Sequence, residues 1–99
     1  MQKIAIVGIG GMGTVHYNNY AQIKKAEVRA VVGPSAADRK KAEKWGLKIY
    51  PDIKSLLAEA EIDLVDICTP TYLHFEQAMQ ALTAGKNVII EKPIALHRE

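Results

Sequence analysis

The 99-residue sequence has one cysteine, one tryptophan, one phenylalanine and four prolines. A lone cysteine, Cys68, cannot close an internal disulfide, so a reducing cytoplasm is the expected compartment. No apolar run approaches the roughly 18 residues of a membrane span. The opening "MQKIAIVGIGGMGTV" has a lysine and then an apolar run, but four glycines interrupt it and no cleavage-like stretch ends it. Charge of one sign is lacking too. Thirteen basic against eleven acidic residues leave a formal net charge of +2, too little to argue for nucleic acid or a membrane surface. There is no internal repeat, low-complexity tract or linker.

What is present is an alternation of two periods. "KIAIVG" is a short β-branched run ending in glycine, the pattern of a buried strand. After Gly13 a helix is expected to about Lys25, with Met12, His16, Asn19/Tyr20 and Ile23 at helical spacing. "EVRAVV" follows as a second strand. A helix from Ala36 to Trp45 has Ser35 as its N-cap and Asp38 in its first turn, a variant of the capping box. Gly46 stops it. "LKIY" reads as a third strand, and Asp52 caps a helix whose inner face is Ile53, Leu56, Leu57 and Ala60. "DLVDIC" is a fourth strand. The next helix starts near Thr71, with Phe75, Ala78, Met79 and Leu82 on one face, and Gly85 stands at its C′ position. "NVII" is a fifth strand, and "IALHRE" reads as the first turn of a further element.

Strands separated by helices imply crossovers, hence parallel pairing. Right-handed crossovers then favour an α/β fold of the Rossmann type, a doubly wound parallel sheet of about five strands. Residues 1–99 read as one domain, an N-terminal piece whose last residues begin a further element.

"IAIVGIGGMGTVH" contains G-x-G-x-x-G as Gly8, Gly10 and Gly13, directly after a strand and opening a helix. Gly8 permits the tight turn, Gly10 lets the backbone approach a pyrophosphate, and Gly13 lets the helix pack closely on the strand. Gly11 and Met12 lie between them, where backbone N–H groups and the positive end of the helix dipole stabilise phosphate charge. A glycine turn without ligand and a methyltransferase loop remain as rival readings of the loop alone. A P-loop is excluded, because no Gly-Lys-Ser/Thr follows the glycines.

The carboxylate that hydrogen-bonds the adenosine ribose of NAD is expected about 20 residues beyond the glycines. That position is Gly33, which offers no acceptor and no charge to repel a 2′-phosphate. Ser35 and Arg39 can donate to a phosphate, and Lys40 adds positive potential. This pattern favours NADP over NAD. The plainer reading makes Gly33-Pro34 a turn and "DRKK" a solvated helix face.

"DICTPTYLHFEQAMQALTAGKNVIIEKP" carries the most specific signal. With "GIGGMG" before it, in this order and spacing, the chain resembles the Gfo/Idh/MocA family of NAD(P)-dependent oxidoreductases along essentially its whole length. The resemblance implies a Rossmann domain followed by a second α/β domain, acting on a sugar, polyol or similar carbonyl compound. It makes Lys92, the lysine of the EKP motif, the catalytic or substrate-orienting cation. Glu91 and the Thr69-Pro70 pair would line the cofactor side, and His74 would approach the cofactor or cap its helix. Where the family often has asparagine after that proline, this chain has Thr71. A non-catalytic dinucleotide sensor is the alternative class. The sequence allows a homo-oligomer without specifying one.

Physical placement agrees, since ligands of doubly wound sheets sit outside the carboxyl ends of the strands, where all these segments fall. No metal is expected, because His16, His74 and His97 show no ligand spacing with Cys68 or a carboxylate. His16 reads as structural, Cys68 as a small core residue, and Tyr17, Tyr20 and Trp45 as helix packing. Asp66 interrupts a buried strand and needs a partner that the sequence does not name.

Overall fold

The computed structural model describes the backbone of residues 2–9, 11–33, 35–59, 61–68, 71–90 and 94–96, with side chains except at 11, 12, 59, 71–75 and 94–96. The elements are β1 (Gln2–Val7), α1 (Gly11–Tyr20), β2 (Ala26–Val32), α2 (Ala36–Trp45), β3 (Lys48–Tyr50), α3 (Ile53–Glu59), β4 (Leu64–Ile67), α4 (Thr71–Thr83), β5 (Asn87–Ile90) and β6 (Ile94–Leu96). They form one sheet in the order β3-β2-β1-β4-β5-β6. The first five strands are parallel, and β6 pairs antiparallel with β5. The five-strand Rossmann-type sheet is therefore present as expected.

Its strands are apolar on both faces because both faces are covered. Ala5, Val7, Val65 and Ile67 point to one side, where they pack with Ile53 and Leu56 of α3 and Ala78 and Ala81 of α4. Ile4, Ile6 and Leu64 point to the other, against Tyr17 and Tyr20 of α1 and Ala42 and Trp45 of α2. Chain order reverses between β1 and β4, which sit side by side in the centre. That reversal opens the crevice in which such sheets hold ligands.

Three local expectations need correction. α1 starts earlier and ends sooner than the apolar spacing implied, at Tyr20 instead of Lys25. The chain must turn there to enter β2 parallel to β1, and the Gln2 N–H takes the Lys25 carbonyl at 2.7 Å. Ile23 is consequently half exposed. In α4, Met79 is half exposed as well; Ala78 and Ala81 make the sheet contact, their small side chains allowing the helix close approach. Finally, "IALHRE" does not open with a helical turn. Ile94–Leu96 is an edge strand, since β5 would otherwise present an unpaired edge there.

The caps behave as their residue types dictate. Ser35 Oγ accepts the Asp38 N–H at 3.1 Å while Asp38 Oδ2 accepts the Ser35 N–H at 3.3 Å, a reciprocal capping box. Gly46 ends α2 in the left-handed region at φ 71°. Asp52 Oδ1 accepts the Ser55 N–H at 2.8 Å, and that bond holds its carboxyl below the usual carboxylate range. At α4's end, Gly85 has φ 85° and Lys86 N–H reaches back to the Ala81 carbonyl. Replacing Ser35 by alanine is expected to cost about 1 kcal/mol of unfolding free energy, measured by urea denaturation.

Candidate functional site

The carboxyl ends of the central strands are levelled by backbone bonds across the sheet. Gly8 N–H donates to the Val32 carbonyl at 2.9 Å, Cys68 N–H to Val7 at 2.8 Å and Gly33 N–H to Tyr50 at 3.1 Å. The residues that follow β1, β2 and β4 thus emerge on one edge. Gly8 has φ 89°, a conformation an L-residue adopts at a cost. Gly13 is buried in the first turns of α1, and a Cβ there would collide with the Gly8 carbonyl oxygen. Strand end and helix start therefore meet backbone to backbone, and only glycine fits. α1 has no acidic residue in its first turn, so the helix itself offers no carboxylate to offset the positive end of its dipole. Such a cradle suits a pyrophosphate. Gly11 and Met12 lie in that first turn by backbone; Gly10 falls outside the described residues.

At the end of β2 the structure changes the sequence reading. Gly33 is buried, and a Cβ on it would lie 2.6 Å from Asp38 Oδ2 and 2.7 Å from Asp38 Cβ. The glycine makes room for a side chain from the next helix. The expectation that no carboxylate stands at this strand end is thereby corrected: Asp38 brings one, through the capping box that positions it. Ser35 has its hydroxyl oxygen in that same box. Arg39 and Lys40 are exposed on α2.

Beneath the glycine loop lies a cluster that sequence spacing did not reveal. Asp66 is fully buried on β4, facing α1. His16 Nδ1–H donates to Asp66 Oδ2 at 2.6 Å, and Tyr20 Oη–H donates to the same oxygen at 2.6 Å. Cys68 Sγ lies 3.3 Å from His16 Nδ1 and donates to Asp66 Oδ1 at 3.5 Å. These are the partners Asp66 required. The signal was available in part, since His16 and Tyr20 are four residues apart on one helix face, but no spacing links either to position 66. Burial, reinforced by the bond to Asp66, raises the Tyr20 hydroxyl above its ordinary pKa.

His16, Asp66 and Cys68 form a potential nitrogen, oxygen and sulfur ligand set, with donor atoms within 4.8 Å of one another. Tetrahedral zinc at about 2.0–2.3 Å from each donor would set nitrogen and oxygen about 3.3 Å apart. The 2.6 Å separation of Nδ1 and Oδ2 is instead that of a hydrogen bond with a proton between them. The arrangement anchors α1 to the central strand β4.

A surface cleft of about 620 Å³ lies between α3 and α4 beside Leu57 and Met79. It contains none of the sheet-edge residues. Another cleft, about 330 Å³, lies between α1 and α2 beside Thr14 and Lys41. Thr69, Pro70, Glu91 and Lys92 fall outside the described residues, as does the side chain of His74. No described helix is long and apolar enough to cross a membrane.

The family model described as an oxidoreductase family with an NAD-binding Rossmann fold matches residues 2–99. The chain belongs to the Gfo/Idh/MocA family. Among curated relatives, 4-carboxy-2-hydroxymuconate-6-semialdehyde dehydrogenase of Sphingobium sp. is 35% identical over 95 residues, covering 94% of this chain and 30% of that protein. Scyllo-inositol dehydrogenase from Lactobacillus casei, solved with NAD(H) and scyllo-inositol, superposes with a TM-score of 0.86 at 34% identity, covering 91% of this chain and 27% of that one. The WlbA dehydrogenase from Chromobacterium violaceum, solved with NADH and UDP-GlcNAcA, gives 0.87 at 28% identity, with coverages of 95% and 28%. The chain therefore spans less than a third of these family members.

Two measurements check the buried cluster. Asp66→Ala leaves the His16 and Tyr20 donors unpaired and is expected to cost about 3 kcal/mol in urea denaturation. Because the folded state raises the Tyr20 pKa, its contribution is complete below the unfolded value near 10 and is lost as pH rises above it. Stability of the wild type should therefore fall more steeply with pH above about 10 than that of Tyr20→Phe. Equal slopes would remove Tyr20 from the linkage.

Proposed function

We propose that this chain is the dinucleotide-holding domain of a dehydrogenase or reductase acting on a sugar, polyol or related carbonyl compound. The close packing of Gly13 on the Gly8 carbonyl carries this reading, because it sets a helix N-terminus at a sheet edge where only glycine fits. Family membership supports it, as do relatives solved with NAD(H) or NADH and a cyclitol or nucleotide-sugar ligand. Gly8, Gly10, Gly11, Met12 and Gly13 would receive the pyrophosphate. A bound nicotinamide supplies the hydride acceptor or donor. Lys92 would hold the substrate oxygen and exchange its proton, while Thr69, Pro70, His74 and Glu91 line the cofactor side.

Within this reading the cofactor is NAD(H). The carboxylate of Asp38 at Gly33 offers an acceptor to a ribose hydroxyl and repels a 2′-phosphate. The NADP preference expected from Gly33, Ser35 and Arg39 is the second reading; the exposed cations Arg39 and Lys40 on the same helix favour it. A titration of NADH and NADPH against the chain decides between them. NADH is expected to bind more tightly, and Asp38→Asn should strengthen NADPH binding about fivefold, given roughly 1 kcal/mol between unit charges 4 Å apart in water. Tighter NADPH binding by the wild type, weakened by Arg39→Ala, would favour NADP.

The 99-residue chain alone is expected to bind dinucleotide without oxidising inositols or hexoses, since the second domain that the family resemblance implies would contribute to the substrate site. Turnover by the chain alone would overturn that expectation. A sensor, the other class, would bind dinucleotide in its full-length form and show no turnover on any such substrate.

A further inference from the structure

Lys41 lies on α2, in the "DRKK" run that reads from sequence as a solvated face. Its ammonium is not turned to solvent. Lys41 Nζ donates to the Ile9 carbonyl at 2.7 Å and to Thr14 Oγ1 at 2.9 Å. Ile9 is the residue between the first two glycines of the loop, and Thr14 follows the last. Both acceptors therefore belong to the turn that would receive the pyrophosphate. Thr14 Oγ1 also lies 3.4 Å from the Ile9 carbonyl, which joins the three groups in one network.

The reach of Lys41 is set by packing. Trp45, one turn further along α2, stacks on Tyr17 of α1 with ring centroids 3.9 Å apart and planes 10° apart. Lys41 Nζ stands 6.0 Å from the Trp45 ring centroid. Ile9 and Ala42 are both buried between the helices and the sheet. The lysine stem is thus held between two docked helices, with its charge delivered to the loop.

A loop that binds an anion through N–H groups must direct its carbonyls elsewhere, because a carbonyl oxygen has the wrong sign. We propose that Lys41 is a positioning residue for the phosphate loop: it holds the Ile9 carbonyl toward α2 and adds a positive charge behind the turn. Lys40 and Lys44 line the same cleft and extend the positive potential. The inference rests on the dinucleotide reading and would apply equally to NAD and NADP.

The test is NADH and NADPH titration of the 99-residue chain at several salt concentrations, for the wild type, Lys41→Met, Lys41→Gln and Lys41→Arg. Circular dichroism and urea midpoints establish which variants are folded. Lys41→Met is expected to weaken both dinucleotides about tenfold, the loss of one charge-assisted bond's worth of organisation. Its affinity should also fall less steeply with salt, a change that loss of packing alone would not produce. Lys41→Arg should restore most of the affinity and the wild-type salt slope. Lys41→Gln, which keeps a donor, serves if the methionine variant does not fold, and should likewise show the shallower slope. A folded Met or Gln variant with wild-type affinity and slope overturns the role of Lys41 while leaving the dinucleotide reading intact. Failure of the wild type to bind either dinucleotide overturns both.

Discussion

The structure depends on one close approach of backbone to backbone. At Gly13 the start of α1 lies directly against the Gly8 carbonyl at the end of β1, with no space for a side chain. That contact decides where α1 begins, how near it runs to the sheet, and where its N-terminal N–H groups point. Every other feature of the edge takes its place relative to it. Cys68 and Gly33 reach the same level because β4 and β2 pair with the last residues of β1, which ends at Val7.

Three further interactions hold α1 in that position. Deep in the core, Asp66 accepts from His16 and Tyr20, tying the second and third turns of the helix to β4. On the outer side, Tyr17 stacks on Trp45 and so docks α2. Between them, Lys41 reaches back to Ile9 and Thr14. The helix that would face phosphate is thus secured by a buried acid, an aromatic pair and a half-buried cation. Apolar packing alone would not specify its rotation so closely, because polar partners tolerate only short distances and narrow angles.

The end of β2 shows how a residue type can mislead when it is read alone. Gly33 looks like a carboxylate deleted from an otherwise ordinary fingerprint. In the fold it is a space filled by Asp38, a residue already legible as the third position of a capping box. The two observations were both in the sequence. What joined them was the capping box, which holds the Asp38 side chain back against the end of β2. Met79 and Ile23 make the same point for packing. Helical spacing put each on an inner face, but α1 ends before Ile23 and the packing of α4 on the sheet through Ala78 and Ala81 leaves Met79 outward.

By itself the sequence determined the order of elements, the parallel sheet, the caps at Ser35, Asp52 and Gly85, and the glycine loop between β1 and α1. It also carried the family, through motifs whose order and spacing are specific. These are properties of short segments and of periods, governed by backbone sterics and hydrophobic alternation. Tertiary structure alone decided the partners of Asp66, the route of Lys41 to the loop, and the pairing of Ile94–Leu96 with β5. Each joins residues on different elements, and its geometry is set by how those elements pack on the sheet rather than by any local pattern.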